Sequence, residues 1–322
     1  MSTMTFGEAI RLAMSTRMRE DPTIILMGED VGKAGGTYGV SKGMFAEFGG
    51  DRILDTPISE SGFTGAGVGA AATGLRPIVE LMMNDFFTVA MDPIVNQAAK
   101  MRYMLGGAVS IPMVIRTAIG GGRSAGAQHS QCLESWLTHV PGLKVVFPST
   151  PQDAYGLLLS SIDDPDPVVF MEGKLLYATK GEVTDMNPIP LGKGKIVREG
   201  TDITIISYGK YVFDSLKAAD ALEKDGINAE VIDLRTLYPL DKDLIFESIR
   251  KTHRAAILTE EVRRGSYAGE ISAMIAEELF AELDAPVVRV GALNTPVPFA
   301  KVMEDYYLPN ADDLVKAIKE QF

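Results

Sequence analysis

A single cysteine, Cys132, stands among 322 residues, so no disulfide can form within the chain and no Cys-based zinc cluster can be built. Basic residues are also scarce. Thirty-one Lys and Arg against 43 Asp and Glu leave a net charge of -12, which argues against the clustered cationic face that nucleic acid requires. An acidic surface of this kind suits basic protein partners. No apolar stretch approaches the roughly 18 uncharged residues of a membrane span. The opening MSTMTFGEAIRLAM lacks the basic region, apolar core and cleavage site of a secretory leader. The expected setting is the reducing cytoplasm, with no membrane and no nucleic acid as partner.

What is present is apolar and small. The chain is 46% hydrophobic and 23% charged, enough for two domains with sizeable cores and too apolar for disorder. The counts of Gly, 32, and Met, 16, point to close backbone approaches and adaptable packing. Helical and strand signals alternate along the chain, the mark of α/β architecture. TFGEAIRLAMSTRMRED reads as a helix with Phe6, Ile10, Ala13 and Met14 on one face, and TIILMG as a buried strand. RPIVELMM, IPMVIRT, GLKVVFPS and PVVFMEG read as further strands, and PQDAYGLLLSSID as a helix. DPIVNQAAKMRYML reads as a helix starting at Asp92, where a capping carboxylate followed by Pro93 satisfies the rule for helix starts. Gly, Pro and unpatterned charge mark a linker at 186–200. It separates a first domain, 1–185, from a second, 201–322, in which ITIISYG, AEVIDLR, AAILTEE and PVVRVGA alternate with helices.

Several features carry chemical meaning. Gly65-Ala66-Gly67-Val68-Gly69-Ala70 fits the GxGxxG/A dinucleotide fingerprint, with Glu80 as a downstream acid. Its context does not fit, because DTPISESG rather than a hydrophobic strand precedes it, and a small-residue helix packed against another backbone is the better reading. IGGGRSAGAQHSQ (119–131) is a Gly-rich loop at a strand's carboxyl end and carries His129, one of only three histidines. That is where α/β proteins place binding groups. Carboxylates recur near strand ends: Glu29, Asp30, Glu60, Asp85 and Asp92. Turn, cap and surface roles compete for most of them. Glu60 is the odd one, a lone acid at the head of the uncharged run GFTGAGVGAAATG. No Walker loop, no Gly-x-Ser-x-Gly elbow and no metal-ligand spacing is found.

Longer stretches carry a resemblance to a known family. MGEDVG (27–32), DTPISESG (55–62), GLRPIVE (74–80), DPIVNQAAKMRYMLGG, AQHSQ (127–131), HVPGLKVVFPSTPQDAYGLL (139–158), DDPDPVVFME and DLRTLYPLD (233–241) resemble the beta subunit of the decarboxylating component of 2-oxo acid dehydrogenase complexes. The resemblance spans essentially the whole chain. It implies a pyrimidine-type, thiamin diphosphate-binding three-layer domain followed by a smaller transketolase C-terminal-like α/β domain. It also implies an oxidoreductase active only with an alpha subunit, in an α2β2 heterotetramer. The alpha subunit would hold Mg²⁺ and the diphosphate, since the Gly-Asp-Gly of that motif is missing here. The product would pass to a dihydrolipoyl acyltransferase.

The same resemblance implies roles for single residues. Glu60 matches the glutamate that hydrogen-bonds N1′ of the cofactor's aminopyrimidine, and a low-polarity pocket would favour proton sharing there. Met82 and Phe86 match positions around the pyrimidine ring. His129 matches the histidine that faces the reactive carbon. Glu29 matches a cofactor-side acid and, with Asp92, a proton path between the two cofactors of a tetramer. A structural K⁺ is implied at the backbone carbonyls of Ser161, Asp164 and Asp166 with Met113, hard oxygen ligands for a hard cation. Among substrates, VELMMNDFF, KMRYMLGG and FMEGKLLYATKGEV favour acetoin over pyruvate, with branched-chain 2-oxo acids such as 2-oxoisovalerate third. A non-catalytic scaffold and a nicotinamide oxidoreductase stay open as readings of another class.

Overall fold

In a computed structural model, which describes residues 2–322, the first helix, Phe6–Glu20, starts on a capping box. The Thr5 hydroxyl accepts the Glu8 N–H at 3.2 Å, and the Glu8 carboxylate accepts the Thr5 N–H at 2.7 Å. Two of the helix's orphan donors are thereby satisfied. Phe6, Ile10, Ala13 and Met14 are all fully buried on one face. The chain divides into two compact units. The first comprises the chain up to Ile119, Trp136–Leu191 and Leu237–Pro239; the second comprises Gly120–Ser135, Gly192–Thr236 and Leu240–Phe322.

The first unit is organised by a parallel sheet of β1 (Ile24–Gly28), β2 (Ile53–Asp55), β3 (Arg76–Leu81), β4 (Val114–Ile119), β5 (Lys144–Val146) and β6 (Val168–Gly173). The order runs β5-β6-β4-β3-β1-β2, and the short strand containing Leu237 and Tyr238 lies outside β5. Strands β1, β4 and β6 are buried along their whole length, as expected of a parallel sheet covered on both faces. Gly28, Glu80 and Arg116 lie in register across β1, β3 and β4.

Arg116 is the largest buried side chain of this unit, at 1% exposure. Its Nε and Nη2 donate to the two oxygens of Glu172 at 2.7 and 2.8 Å, and its Nη1 donates to Glu80 at 2.8 Å. The Tyr177 hydroxyl completes the cluster with a 2.8 Å bond to Glu172. Two carboxylates and one guanidinium are thus held out of water on three neighbouring strands, and the facing charges raise the guanidinium pKa against the opposing effect of burial.

The second unit carries β7 (Lys195–Arg198), β8 (Ile203–Ser207), β9 (Ala229–Asp233), β10 (Ala255–Val262) and β11 (Val288–Ala292) in the order β11-β10-β8-β9-β7. All neighbours are parallel except β9 and β7, which are antiparallel. Strand β7 lies in the stretch read as linker. Charges at Lys195 and Arg198 hid it, and such charges are usual on an edge strand. Ile203, Ile205, Leu222, Val231, Leu314 and Ile318 share one core cluster, which places the helices Tyr211–Glu223 and Ala311–Lys319 on this sheet. Among the described residues no helix is long and apolar enough to cross a membrane.

The Arg116 cluster generates a stability prediction. Arg116→Met leaves Glu80 and Glu172 buried without their cation and is expected to destabilise the chain by about 3–5 kcal/mol. Urea unfolding monitored by circular dichroism reads this directly, and a loss below about 1 kcal/mol would contradict a structural role for the pair.

Candidate active site

Two acids meet at the carboxyl end of the first unit's sheet. Glu29 follows β1 and is buried. Its Oε1 has no hydrogen-bond partner among the described residues. Burial, then the charge of Glu60, then that of Asp30, push the Glu29 carboxyl above the ordinary range. Glu60 is the first residue of the helix Glu60–Ala72 and is itself buried, whereas Ile58 two residues earlier is exposed. The positive end of that helix favours negative charge at its first turn. Two hydrogen bonds tie the chain around β1's end to the chain before Glu60: the Thr56 N–H donates to the Gly28 carbonyl at 3.0 Å, and the Gly32 N–H donates to the Asp55 side-chain carboxylate at 2.6 Å. Met82, just past β3, and Phe86, in the 3₁₀ turn Asn84–Phe86, are half-buried in the same unit.

The fingerprint-like glycines have a packing role. Gly65 through Ala70 lie in the interior of the Glu60 helix, where no backbone N–H is free to cradle a phosphate. A Cβ on Gly67 would sit 2.7 Å from Cγ2 of Val79 on β3, so the small residue sets the helix-to-sheet distance. Glu80, the acid a dinucleotide site would need, is bound to Arg116. The nicotinamide reading therefore loses both of its residues.

His129 belongs to the second unit. It is half-buried, and its N–H donates to the Gly126 carbonyl at 3.3 Å. The loop that carries it ends at a buried acid pair. Glu134 accepts the Tyr208 hydroxyl at 3.1 Å, while Glu261 accepts the Ser135 N–H at 3.1 Å and the Tyr267 N–H at 2.7 Å. Glu134 Oε2 is buried with no hydrogen-bond partner among the described residues. Burial raises the Glu261 carboxyl as well, but Glu261 has the better donors for a negative charge, which leaves Glu134 the weaker acid of the two. Burial, reinforced by the charge of Glu261, raises that carboxyl well above the usual range.

Two family descriptions match the chain: "Transketolase, pyrimidine binding domain" over residues 2–180 and "Transketolase, C-terminal domain" over residues 192–314. Similar curated proteins include the beta subunit of acetoin:2,6-dichlorophenolindophenol oxidoreductase from Bacillus subtilis, 50% identical over 98% of this chain and 96% of that protein. Subunit beta-2 of the mitochondrial pyruvate dehydrogenase E1 component of Oryza sativa is 48% identical over 98% of this chain and 85% of that protein. The 2-oxoisovalerate dehydrogenase subunit beta of Bacillus subtilis is 44% identical over 99% of both. This chain belongs to the transketolase-like family of dehydrogenase beta subunits. Among solved structures, a split-gene transketolase described as an inactive beta4 tetramer has a TM-score of 0.81 at 24% identity, covering 99% of this chain and 98% of that one. It attests the fold alone.

The expected helix start at Asp92-Pro93 does not exist: an α-helix, Phe87–Met91, runs straight into a π-helical stretch, Asp92–Ala98, and Met91 is itself helical. The wider turn accommodates a proline that cannot donate within the helix. Asp92 is exposed and accepts the Asn96 side-chain amide at 2.8 Å. Of the implied cation-binding carbonyls, that of Asp164 accepts Arg76 at 3.1 Å and that of Met113 accepts the Val168 N–H at 3.0 Å. Ser161 lies in the last turn of the helix Pro151–Asp163, and Asp166 follows that helix. Among the described residues no group of three or more His, Cys, Asp or Glu is arranged to hold a metal ion.

Sequence reasoning passed over Arg116, Glu134, Glu172, Glu261 and Glu304. Each is a charged residue within or beside an apolar segment, the same signal that singled out Glu60. For Glu134 the sign of the pH effect follows from its raised pKa. The folded chain keeps a proton that the unfolded chain releases in the ordinary carboxylate range, so stability falls as pH rises from there through the folded pKa. Glu134→Gln is expected to flatten the decline in thermal midpoint as pH rises above the ordinary carboxylate range, where one such group contributes up to about 1.4 kcal/mol per pH unit. Parallel slopes for variant and wild type would contradict the assignment.

Proposed function

We propose that the chain is the beta subunit of a cytoplasmic, thiamin diphosphate-dependent acetoin dehydrogenase, working with an alpha subunit in an α2β2 assembly and passing its acyl product to a lipoyl-bearing acyltransferase. One observation carries the reading: Glu60 is buried at a helix start beside Glu29, whose Oε1 is left without a protein partner. An orphaned acceptor of this kind is a cost that a bound polar ligand would remove, and the aminopyrimidine of the cofactor is such a ligand.

When bound, thiamin diphosphate supplies a carbanion-forming carbon that cleaves the bond next to the substrate carbonyl. Glu60 would hold N1′ of the aminopyrimidine through a hydrogen bond and could exchange a proton at that nitrogen. Glu29 adds a second carboxyl on the cofactor side. Met82 and Phe86 offer a thioether and an aromatic face to a flat heterocycle. His129 orients the substrate and holds or passes a proton at its reacting oxygen. Mg²⁺ and the diphosphate belong to the alpha subunit in this reading. A proton path through Glu29 and Asp92 is proposed only for the assembled enzyme, since Asp92 is a surface residue in the single chain. A potassium ion at the Met113, Ser161, Asp164 and Asp166 carbonyls would share the Asp164 oxygen with Arg76, using its second lone pair.

Acetoin is favoured by the acetoin enzymes of Bacillus subtilis at 50% identity and Cupriavidus necator at 48%. The rice pyruvate dehydrogenase subunit at 48% makes pyruvate the second reading. Reconstitution with the alpha subunit and a dye-linked assay of acetoin, pyruvate and 2-oxoisovalerate decides between them. Acetoin is expected to have the highest kcat/KM, by about tenfold or more, and the beta chain alone is expected to be inactive. Turnover or tight NAD binding by the chain alone would overturn the reading, and a different leading substrate would move only the specificity. Repeating the assay in potassium-free sodium buffer tests the ion, whose loss is expected to lower the thermal midpoint.

A further inference from the structure

The Gly-rich loop after β4 is held by side chains of its own unit. At its start, the Gly121 N–H donates to the Glu260 carboxylate. The Gly122 N–H donates to Glu304 Oε1 at 2.8 Å and the Ser124 N–H to Glu304 Oε2 at 2.8 Å, with the Ser124 hydroxyl 3.4 Å from the same oxygen. Three amides of one short loop therefore converge on two carboxylates, the arrangement by which turns of alternating backbone hand bind anions. Here the anions come from the chain itself. Gly122 and Ser124 have φ of 89° and 53°, and a Cβ on Gly120 would lie 2.9 Å from the Glu260 oxygens. The run of glycines is what lets the amides turn inward and the carboxylates approach.

At its end the same loop is held by Glu261, through the Ser135 N–H, and by the Glu134–Tyr208 bond. Glu260 and Glu261 are consecutive residues of β10. They lie where its pairing with β11 slips, between Leu258 and Val262, and such irregularities re-aim side chains. One strand thus supplies an anchor to each end of the loop, and Glu304, fully buried in the helix Lys301–Tyr307, supplies a third that accepts two of the loop's amides. His129 hangs between the anchors, tied to Gly126 by its own N–H.

We propose that Glu304, with Glu260, is a positioning residue: it fixes the backbone of the loop 120–126 and thereby sets where His129 is presented. The inference rests on the reading of His129 as a substrate-facing residue, but the clamp and that reading fail in different ways. Glu304 touches no reacting atom. It acts through the loop, and its replacement changes catalysis by loosening His129.

The test uses Glu304→Gln, Glu304→Asp and His129→Ala in the full chain reconstituted with its alpha subunit. Hydrogen exchange read by mass spectrometry is expected to quicken about tenfold or more in peptides spanning 120–126 of Glu304→Gln, because bonds to a charged acceptor are lost. Peptides from β8 and β9 should keep their wild-type rates. In the same variant kcat should fall about tenfold or more with KM changed less than about threefold, and Glu304→Asp, which keeps the charge, should recover part of both. Loop exchange equal to wild type overturns the clamp. Faster loop exchange with normal kcat, while His129→Ala is inactive, overturns its role in positioning. Faster exchange with normal kcat in both Glu304→Gln and His129→Ala upholds the clamp and removes His129 from its proposed role. If Glu304→Gln does not fold, Glu260→Gln gives the same readings and Glu304→Asp gives them in weaker form.

Discussion

Charge buried at the ends of strands governs this molecule. In the first unit Arg116 balances Glu80 and Glu172 across β3, β4 and β6. Glu80 in turn sits in register with Gly28, where a Cβ would strike the Glu80 carbonyl oxygen at 2.6 Å. The close approach fixes where β1 ends, and Glu29 is the next residue. The ion cluster and the acid pair therefore belong to one arrangement: charges that are paired brace the sheet, and beyond them stands a carboxyl with an oxygen left unpaired. Removing the cation would disturb the strands from which Glu29, Met82 and Phe86 are presented.

The second unit uses acids differently. Its buried acid pair is braced by hydrogen-bond donors rather than by a guanidinium: Glu134 and Glu261 share the Tyr208 hydroxyl, and burial raises both carboxyls. Glu260 and Glu304 are satisfied by loop amides instead. A buried carboxylate that accepts two or three N–H bonds is a durable arrangement. The consequence is a loop of glycines that is ordered because side chains from elsewhere in the fold hold it.

Much of this was legible in the sequence, for reasons that can be named. Buried parallel strands are short apolar runs, so TIILMG, ITIISYG and AEVIDLR were readable. The apolar face of Phe6, Ile10, Ala13 and Met14 marked the first helix. Glu60 stood out as a lone charge before an uncharged run, and its burial is what that contrast suggested. The edge strand Lys195–Arg198 was hidden because its polarity serves solvent rather than the core. Asp92-Pro93 misled because a cap-and-proline pair looks alike at a helix start and inside a π-helical turn. Glu261 and Glu304 stand beside apolar residues as Glu60 does, but the partners of Glu260, Glu261 and Glu304 in the loop were beyond reach, since those amides lie more than a hundred residues away and no local pattern links the two. The family resemblance supplied roles that spacing alone did not.

The central claim is that Glu60 acts on the cofactor rather than on the fold. Glu60→Gln in the enzyme reconstituted with its alpha subunit tests it most directly, with assembly, thiamin diphosphate affinity and turnover measured side by side. The expected result is intact assembly, affinity within about tenfold of wild type, and kcat lower by about 10²–10⁴-fold, the range for loss of a positioned proton-transfer group. Near-normal turnover in a well-assembled variant would contradict the claim.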